Sequence, residues 1–159
     1  MRRILLLPIL VALGCRNSSS PVDTFRDGWE AMAKAQSAQA FRIKYDGKAG
    51  SSIAPGPELW PEQLEDLQRL VKDSRSYAPE LGPKACIPKP GFLIRFSTLS
   101  GKKADLEICL ECDEASLHPT AVAVGQGPWQ NIDPIHNQLV ILAKELFTQD
   151  DEIQSLENN

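Results

Sequence analysis

Phe92-Leu93-Ile94-Arg95-Phe96-Ser97, Thr98-Leu99-Ser100-Gly101-Lys102-Lys103 and Ala104-Asp105-Leu106-Glu107-Ile108-Cys109-Leu110-Glu111-Cys112 form the continuous stretch that decides the fold. Phe92, Ile94 and Phe96 alternate with Leu93, Arg95 and Ser97, while Leu106, Ile108 and Leu110 alternate with Asp105, Glu107, Cys109 and Glu111. A period of two residues is the signature of a strand with one buried face. Ser100-Gly101-Lys102 supplies a turn between the two runs, so the stretch predicts a hairpin. With the turn centred on Ser100, Ile94 lies opposite Leu106 and Phe92 opposite Ile108. That register puts the apolar residues on one face, and a slip of one residue would send one strand's apolar set to the other side. Thr120-Ala121-Val122-Ala123-Val124 is the expected third strand.

Working outward, Ser20-Pro21-Val22-Asp23 offers a hydroxyl cap, a proline at the first helical position and an acid at the third. Val22, Phe25, Trp29, Met32 and Gln36 share one face, which predicts a helix reaching about Gln39 with Trp29 in the core. Phe41-Arg42-Ile43-Lys44-Tyr45 follows as a strand with Phe41, Ile43 and Tyr45 on one side, closed by an Asp46-Gly47 turn. Lys48 to Glu58 is rich in Gly, Ser and Pro and reads as a loop. A second helix opens near Pro61, with Trp60, Leu64, Leu67, Leu70 and Val71 as its apolar stripe. Tyr77 to Pro90 holds four prolines and is expected to be irregular. Asp133 is the expected cap of a last helix, with Pro134 at its first position and Ile135, Leu139, Leu142, Ala143, Leu146 and Phe147 facing inward. Asp150 to Asn159 is acidic and expected to fray, with Ile153 and Leu156 able to add a turn. Trp60 and Trp129 read as staples at loop-to-helix junctions. The order predicts an α+β fold: a small antiparallel sheet of about four strands with helices packed on one face.

The chain has 159 residues, 42% hydrophobic and 24% charged, which suits one soluble folding unit and excludes collagen-like and polytopic membrane classes. The first fourteen residues read as an export signal: Arg2 and Arg3 precede the apolar run Ile4 to Leu13, which is too short, with Pro8 inside it, to span a bilayer. Ala12-Leu13-Gly14-Cys15 resembles the lipobox of bacterial lipoproteins. The resemblance implies that residues 1–14 are removed and that Cys15 carries the lipid. It also implies residues 15–20 as a lipidated cysteine and polar tether, and residues 21–159 as a single domain in the cell envelope, facing the periplasm or the exterior. Loss of Arg2 and Arg3 takes the formal charge from −4 to −6, which disfavours nucleic acid as a partner. The expected partners are the membrane, through the lipid, and an envelope protein or small ligand.

Cys86, Cys109 and Cys112 remain, and the hairpin register brings all three to one end of the sheet. Three readings compete. An oxidising compartment favours one structural disulfide, and strand parity prefers Cys86 with Cys112. Cys86, Cys109, Cys112 and His118 form a Cys3His set of the kind tetrahedral zinc accepts, the alternative cofactor to none. Cys109-x-x-Cys112 could serve thiol redox, although the neighbouring carboxylates would raise its pKa. The region from Cys86 through Phe92–Phe96 to Cys112 resembles an uncharacterised family of short exported bacterial proteins, which implies no activity.

Enzyme signatures are absent: no phosphate loop, no G-x-S-x-G elbow, no H-E-x-x-H and no dinucleotide fingerprint. Glu107, Glu111, Asp113 and Glu114 read as a solvated acidic face with weak cation binding as the sharper alternative, and His118 and His136 as lone histidines. The sequence therefore points to an anchored envelope protein with a binding or structural role and no catalytic residues.

Overall fold

A computed structural model describes residues 25–45, 51–79 and 85–157. The expected signal, Cys15, the tether, the Ser20–Asp23 helix start and the Asp46-Gly47 turn lie outside them. In chain order the elements are α1 (Arg26–Ala33), β1 (Ser37–Tyr45), β2 (Ser51–Glu58), α2 (Pro61–Lys72), β3 (Phe92–Ser97), β4 (Lys103–Cys109), β5 (Glu114–Pro119), β6 (Gln130–Asn131), α3 (His136–Leu146) and α4 (Asp151–Gln154). One antiparallel sheet runs β2-β1-β3-β4-β5-β6, so the protein is α+β with six strands rather than about four.

The hairpin has the expected register: Ile94 faces Leu106 and Phe92 faces Ile108 across β3 and β4. Gly101 takes φ +82° in the connecting turn, a conformation glycine adopts without cost. Phe92, Ile94 and Phe96 of β3, Ala104, Leu106 and Ile108 of β4, and Ala115 and Leu117 of β5 line one face. Met32 of α1, Leu64 and Leu67 of α2, and Leu139 and Ala143 of α3 close over it. Gly28 is what lets α1 lie close to β5, because a β-carbon there would come 2.9 Å from both the His118 nitrogen and Leu117 Cγ. Trp29 is only partly buried at the edge of this core, and Trp60 stands 71% exposed. Trp60 is therefore no staple; its backbone N–H donates to Gln63 Oε1 at 3.0 Å and opens α2.

Further expectations about element boundaries and caps are corrected. The first helix ends at Ala33 instead of reaching Gln39, because Ala38 and Ala40 are drawn into strand pairing with Phe96 and Ile94. Pairing with an existing apolar strand outweighs the helix propensity of alanine. Residues 51–58, expected as loop, form β2. As an edge strand it tolerates Pro55, whose missing N–H costs no ladder bond on the open side. The third hairpin strand is Glu114–Pro119 and not Thr120–Val124, which turns away through a Val122 N–H to Pro119 carbonyl bond. Its entry is a tight turn over Leu110–Asp113, with Asp113 at φ +52°. Asp133 does not cap the last helix. It sits in a 3-10 turn (Asp133–Ile135) and is itself capped, its N–H donating to Asn131 Oδ1.

The acidic C-terminal stretch is held rather than frayed. Arg42, on the helix-facing side of β1, donates through Nε to Asp150 (2.9 Å), through Nη2 to Glu152 (2.6 Å) and through Nη1 to the Ile43 and Gly91 carbonyls. Ile153 is buried in α4, the added turn for which the sequence allowed. Phe41 and Ile43 share one side of β1, and it is the side away from the helices: Phe41 pairs with Leu93, while Ala38, Ala40 and Arg42 pair with core residues.

Candidate functional site

The face of the sheet away from the helices carries the residues with chemistry. Strand alternation puts Asp105, Glu107 and Cys109 of β4 there, beside Ser116 and His118 of β5 and Leu93 and Arg95 of β3. These groups are not solvated. Glu107 and Ser116 have no exposed surface, and Asp105, His118 and Cys109 are buried as well. The 120–129 connection folds over them. The Gly125 N–H donates to Glu107 Oε2 at 2.8 Å, and Gly127 sits so close that a methyl group there would overlap Ser116 Oγ and His118 Cδ2.

Glu107 and His118 form a buried ion pair, His118 Nε2 standing 3.0 Å from Glu107 Oε1. The other ring nitrogen, Nδ1, is 3.0 Å from the Pro119 carbonyl oxygen. A carbonyl can only accept, and a carboxylate accepts too, so this setting suits a doubly protonated ring. Burial works against the charged imidazole, but the Glu107 contact, the Pro119 carbonyl and the charge of Asp105 outweigh it and raise the His118 pKa. Ser116 Oγ, facing Glu107 across the strands, has no hydrogen-bond partner among the described residues. His118 Nε2 and Glu107 Oε1 meet at ion-pair distance without the alignment of a hydrogen bond, and no hydrogen bond links Ser116 Oγ to His118 among the described residues, so these three do not constitute a nucleophilic triad.

Beside the pair, Arg95 and Asp105 are joined by two parallel 2.8 Å bonds, and Thr120 Oγ1 donates to Asp105 at 3.0 Å. The Arg95 guanidinium also lies 4.8 Å over the Phe41 ring. Sequence reasoning missed this network because its members look polar and therefore exposed. The signal that could have found it is cross-strand: Arg95 opposite Asp105, and His118 opposite Asp105 on the next strand, follow from the registers.

The cysteines separate as strand parity preferred. Cys86 and Cys112 form a disulfide with 5.7 Å between α-carbons, tying the segment before β3 to the β4–β5 turn. Cys109 is a buried free thiol whose sulfur accepts the Lys89 N–H at 3.3 Å and the Cys112 N–H. Burial pushes the Cys109 thiol up, Lys89 and Cys112 offset part of that, and Glu111 and Glu114 add to it. His118 is not with them. It pairs with Asp105, whereas Cys109 pairs with Glu114 at the other end of β4, so the Cys3His set is not assembled. Among the described residues no group of three or more Cys, His, Asp or Glu is placed to hold a metal.

The acidic cluster also divides: Glu107 is buried against His118, Asp113 meets His136 Nδ1, and Glu111 is exposed. On the helical side, a groove of about 480 Å³ runs between α2 and α3, floored by Leu67, Leu70 and Leu142. Arg69 is paired with Asp66 and Arg75 with Asp73 on its rim, and Glu145 accepts a hydrogen bond from the Gln63 amide. No helix among the described residues is long and apolar enough to cross a membrane. Comparison with known proteins finds no family profile, no curated protein and no solved structure that matches this chain.

Proposed function

We propose that the protein is an exported envelope module, anchored through a lipid on Cys15, with a binding or structural role and no catalysis of its own. The observation that carries this reading is the Cys86–Cys112 disulfide, since such bonds persist in the oxidising spaces outside the cytoplasm. The basic and apolar start of the chain supports the same destination, and Cys15 stands where the lipobox resemblance expects acylation. Two or three acyl chains, at about 0.8 kcal/mol per buried methylene, would hold the domain at the membrane. The experiment is metabolic labelling with palmitate in a bacterial host. Wild-type chain takes up label and sediments with membranes, whereas Cys15→Ser takes up none and is released on cell opening. An unlabelled wild-type protein found outside the cytoplasm in soluble form would overturn the anchor.

A further inference from the structure

We propose that Cys86, Cys109 and Cys112 form an intramolecular exchange set, in which the Cys109 thiol displaces Cys86 from Cys112 and leaves Cys86 as a reactive thiol at the surface. Three observations bring the sulfurs together. Cys109 ends β4 and Cys112 lies in the turn that follows, three residues on. A turn of this kind holds such α-carbons within about 7 Å, overlapping the disulfide range of roughly 4.4–6.8 Å. The Cys109 sulfur accepts hydrogen bonds from the backbone of Lys89 and of Cys112, so it sits between the two chain segments that the existing disulfide ties. Finally, the three sites differ in access: Cys109 is fully buried, Cys112 nearly so and Cys86 exposed.

The step balances without any external oxidant. The Cys109 thiolate attacks Cys112 Sγ, a Cys109–Cys112 bond forms, the Cys86–Cys112 bond breaks, and the proton lost by Cys109 is taken up by the departing Cys86 sulfur. One disulfide and one thiol are present before and after. The exchange converts a thiol shielded by the fold into one that a small electrophile or a partner's disulfide can reach. The charged and titratable groups around Cys109 are Glu107 on its own strand, Glu111 in the turn, Glu114 on β5 and Tyr45 on β1. Burial, Glu111 and Glu114 oppose the thiolate and the Lys89 and Cys112 N–H groups offset only part of that, so the resting protein keeps the Cys86–Cys112 bond at neutral pH, and exchange is drawn out by alkaline pH or by opening of the strand end.

The test uses the full oxidised chain in detergent, incubated from pH 7 to pH 9, acid-quenched, alkylated with iodoacetamide after denaturation and mapped by mass spectrometry. Label is expected to move from Cys109 to Cys86, the rate rising about tenfold per pH unit with the thiolate fraction. The rate is independent of protein concentration, because the reaction is intramolecular. Cys86→Ser provides the second arm: after oxidation by oxidised glutathione it yields a Cys109–Cys112 cross-linked peptide and no alkylatable thiol at these positions. If Cys86→Ser keeps both thiols, the two sulfurs do not meet and the proposal is overturned. If it closes the bond while the wild-type label stays on Cys109 at every pH, exchange does not occur and the proposal is overturned equally.

Discussion

The two faces of the sheet are both buried, and they are buried by different physics. Under the helices, Phe92, Ile94, Phe96, Leu106 and Ile108 exclude water by apolar area alone, and any neighbour of similar size and shape would serve. On the other face Asp105, Glu107, Ser116 and His118 are as inaccessible as those phenylalanines, but each ionic group is stable there because a specific partner compensates its lost hydration. The difference predicts how each face fails. An apolar face weakens by degrees and independently of pH. A polar face fails when one partner is removed, and its strength follows the protonation of the group that remains.

The largest expected effect is on the apolar face. Phe92→Ala removes a fully buried ring in edge contact with Phe147 and should cost about 3–5 kcal/mol in denaturant unfolding, with the same loss at pH 5.5 and pH 8. Glu107→Gln should cost about 3 kcal/mol, and the loss should shrink with rising pH, since His118 then leaves the charged form that needed Glu107. The sign in the wild type follows from the raised His118 pKa. Its stabilising contribution is fully present below the ordinary histidine value and is lost as pH rises through the folded-state pKa. His118→Gln should flatten that dependence. The double replacement Glu107→Leu with His118→Leu should recover most of the single-variant loss, because it leaves no charge to compensate. A double variant as unstable as the sum of the singles would break the distinction between the faces.

That distinction also explains how far the sequence could be read. The β3–β4 register followed from period-two apolar residues, whose burial needs no named partner, and the same reasoning chose Cys86 with Cys112 by parity. Glu114-Ala115-Ser116-Leu117-His118 has the same alternation, but its outer positions are polar and read as a connection, while Thr120–Val124 has the better strand composition and no strand to pair with. Glu107 looked solvated because the apolar run of its covering loop, Ala121 to Val124, reads as a strand beside the sheet rather than as a cover over its face, a cover that the Gly125 N–H anchors. The Arg42 clamp was hidden for the opposite reason: its partners, Asp150 and Glu152, lie more than a hundred residues away in a stretch whose composition alone suggests fraying. Local patterns report apolar burial, whereas compensated polar burial is a property of pairs.

The cover over the polar face can be perturbed separately from the pair beneath it. Gly127→Ala places a methyl group against Ser116 Oγ and His118 Cδ2, both in the rigid strand β5, so the loop must lift. A loss of about 1–3 kcal/mol is expected, accompanied by faster amide exchange at Gly125, whose N–H is bound to Glu107. Ser116→Gly in the same chain should restore part of the loss by vacating the overlap. Full stability in Gly127→Ala with Gly125 still protected would mean that the loop does not press on the strand.

The smallest effect tests whether the compensated pairs on the helical side behave as those on the polar face do. Asp150 is half of the Arg42 clamp, and although burial raises its pKa, the Arg42 hydrogen bond, the Ile153 N–H and the nearby charges bring it below the ordinary carboxylate value. A depressed carboxylate stabilises above its unfolded-state pKa and stops doing so as pH falls through its folded-state value, so the clamp should loosen in acid, the reverse of the His118 dependence. Asp150→Asn should cost about 1 kcal/mol at pH 7 and remove part of the acid sensitivity. The loss should be confined to α4, read as faster exchange at Gln154, whose N–H bonds to the Asp150 carbonyl at 2.8 Å. Because Arg42 keeps Glu152 and two backbone carbonyls when Asp150 is neutral, its charge is not stranded. A buried charge with several partners therefore tolerates the loss of one, whereas Glu107 and His118, each the other's principal partner, do not.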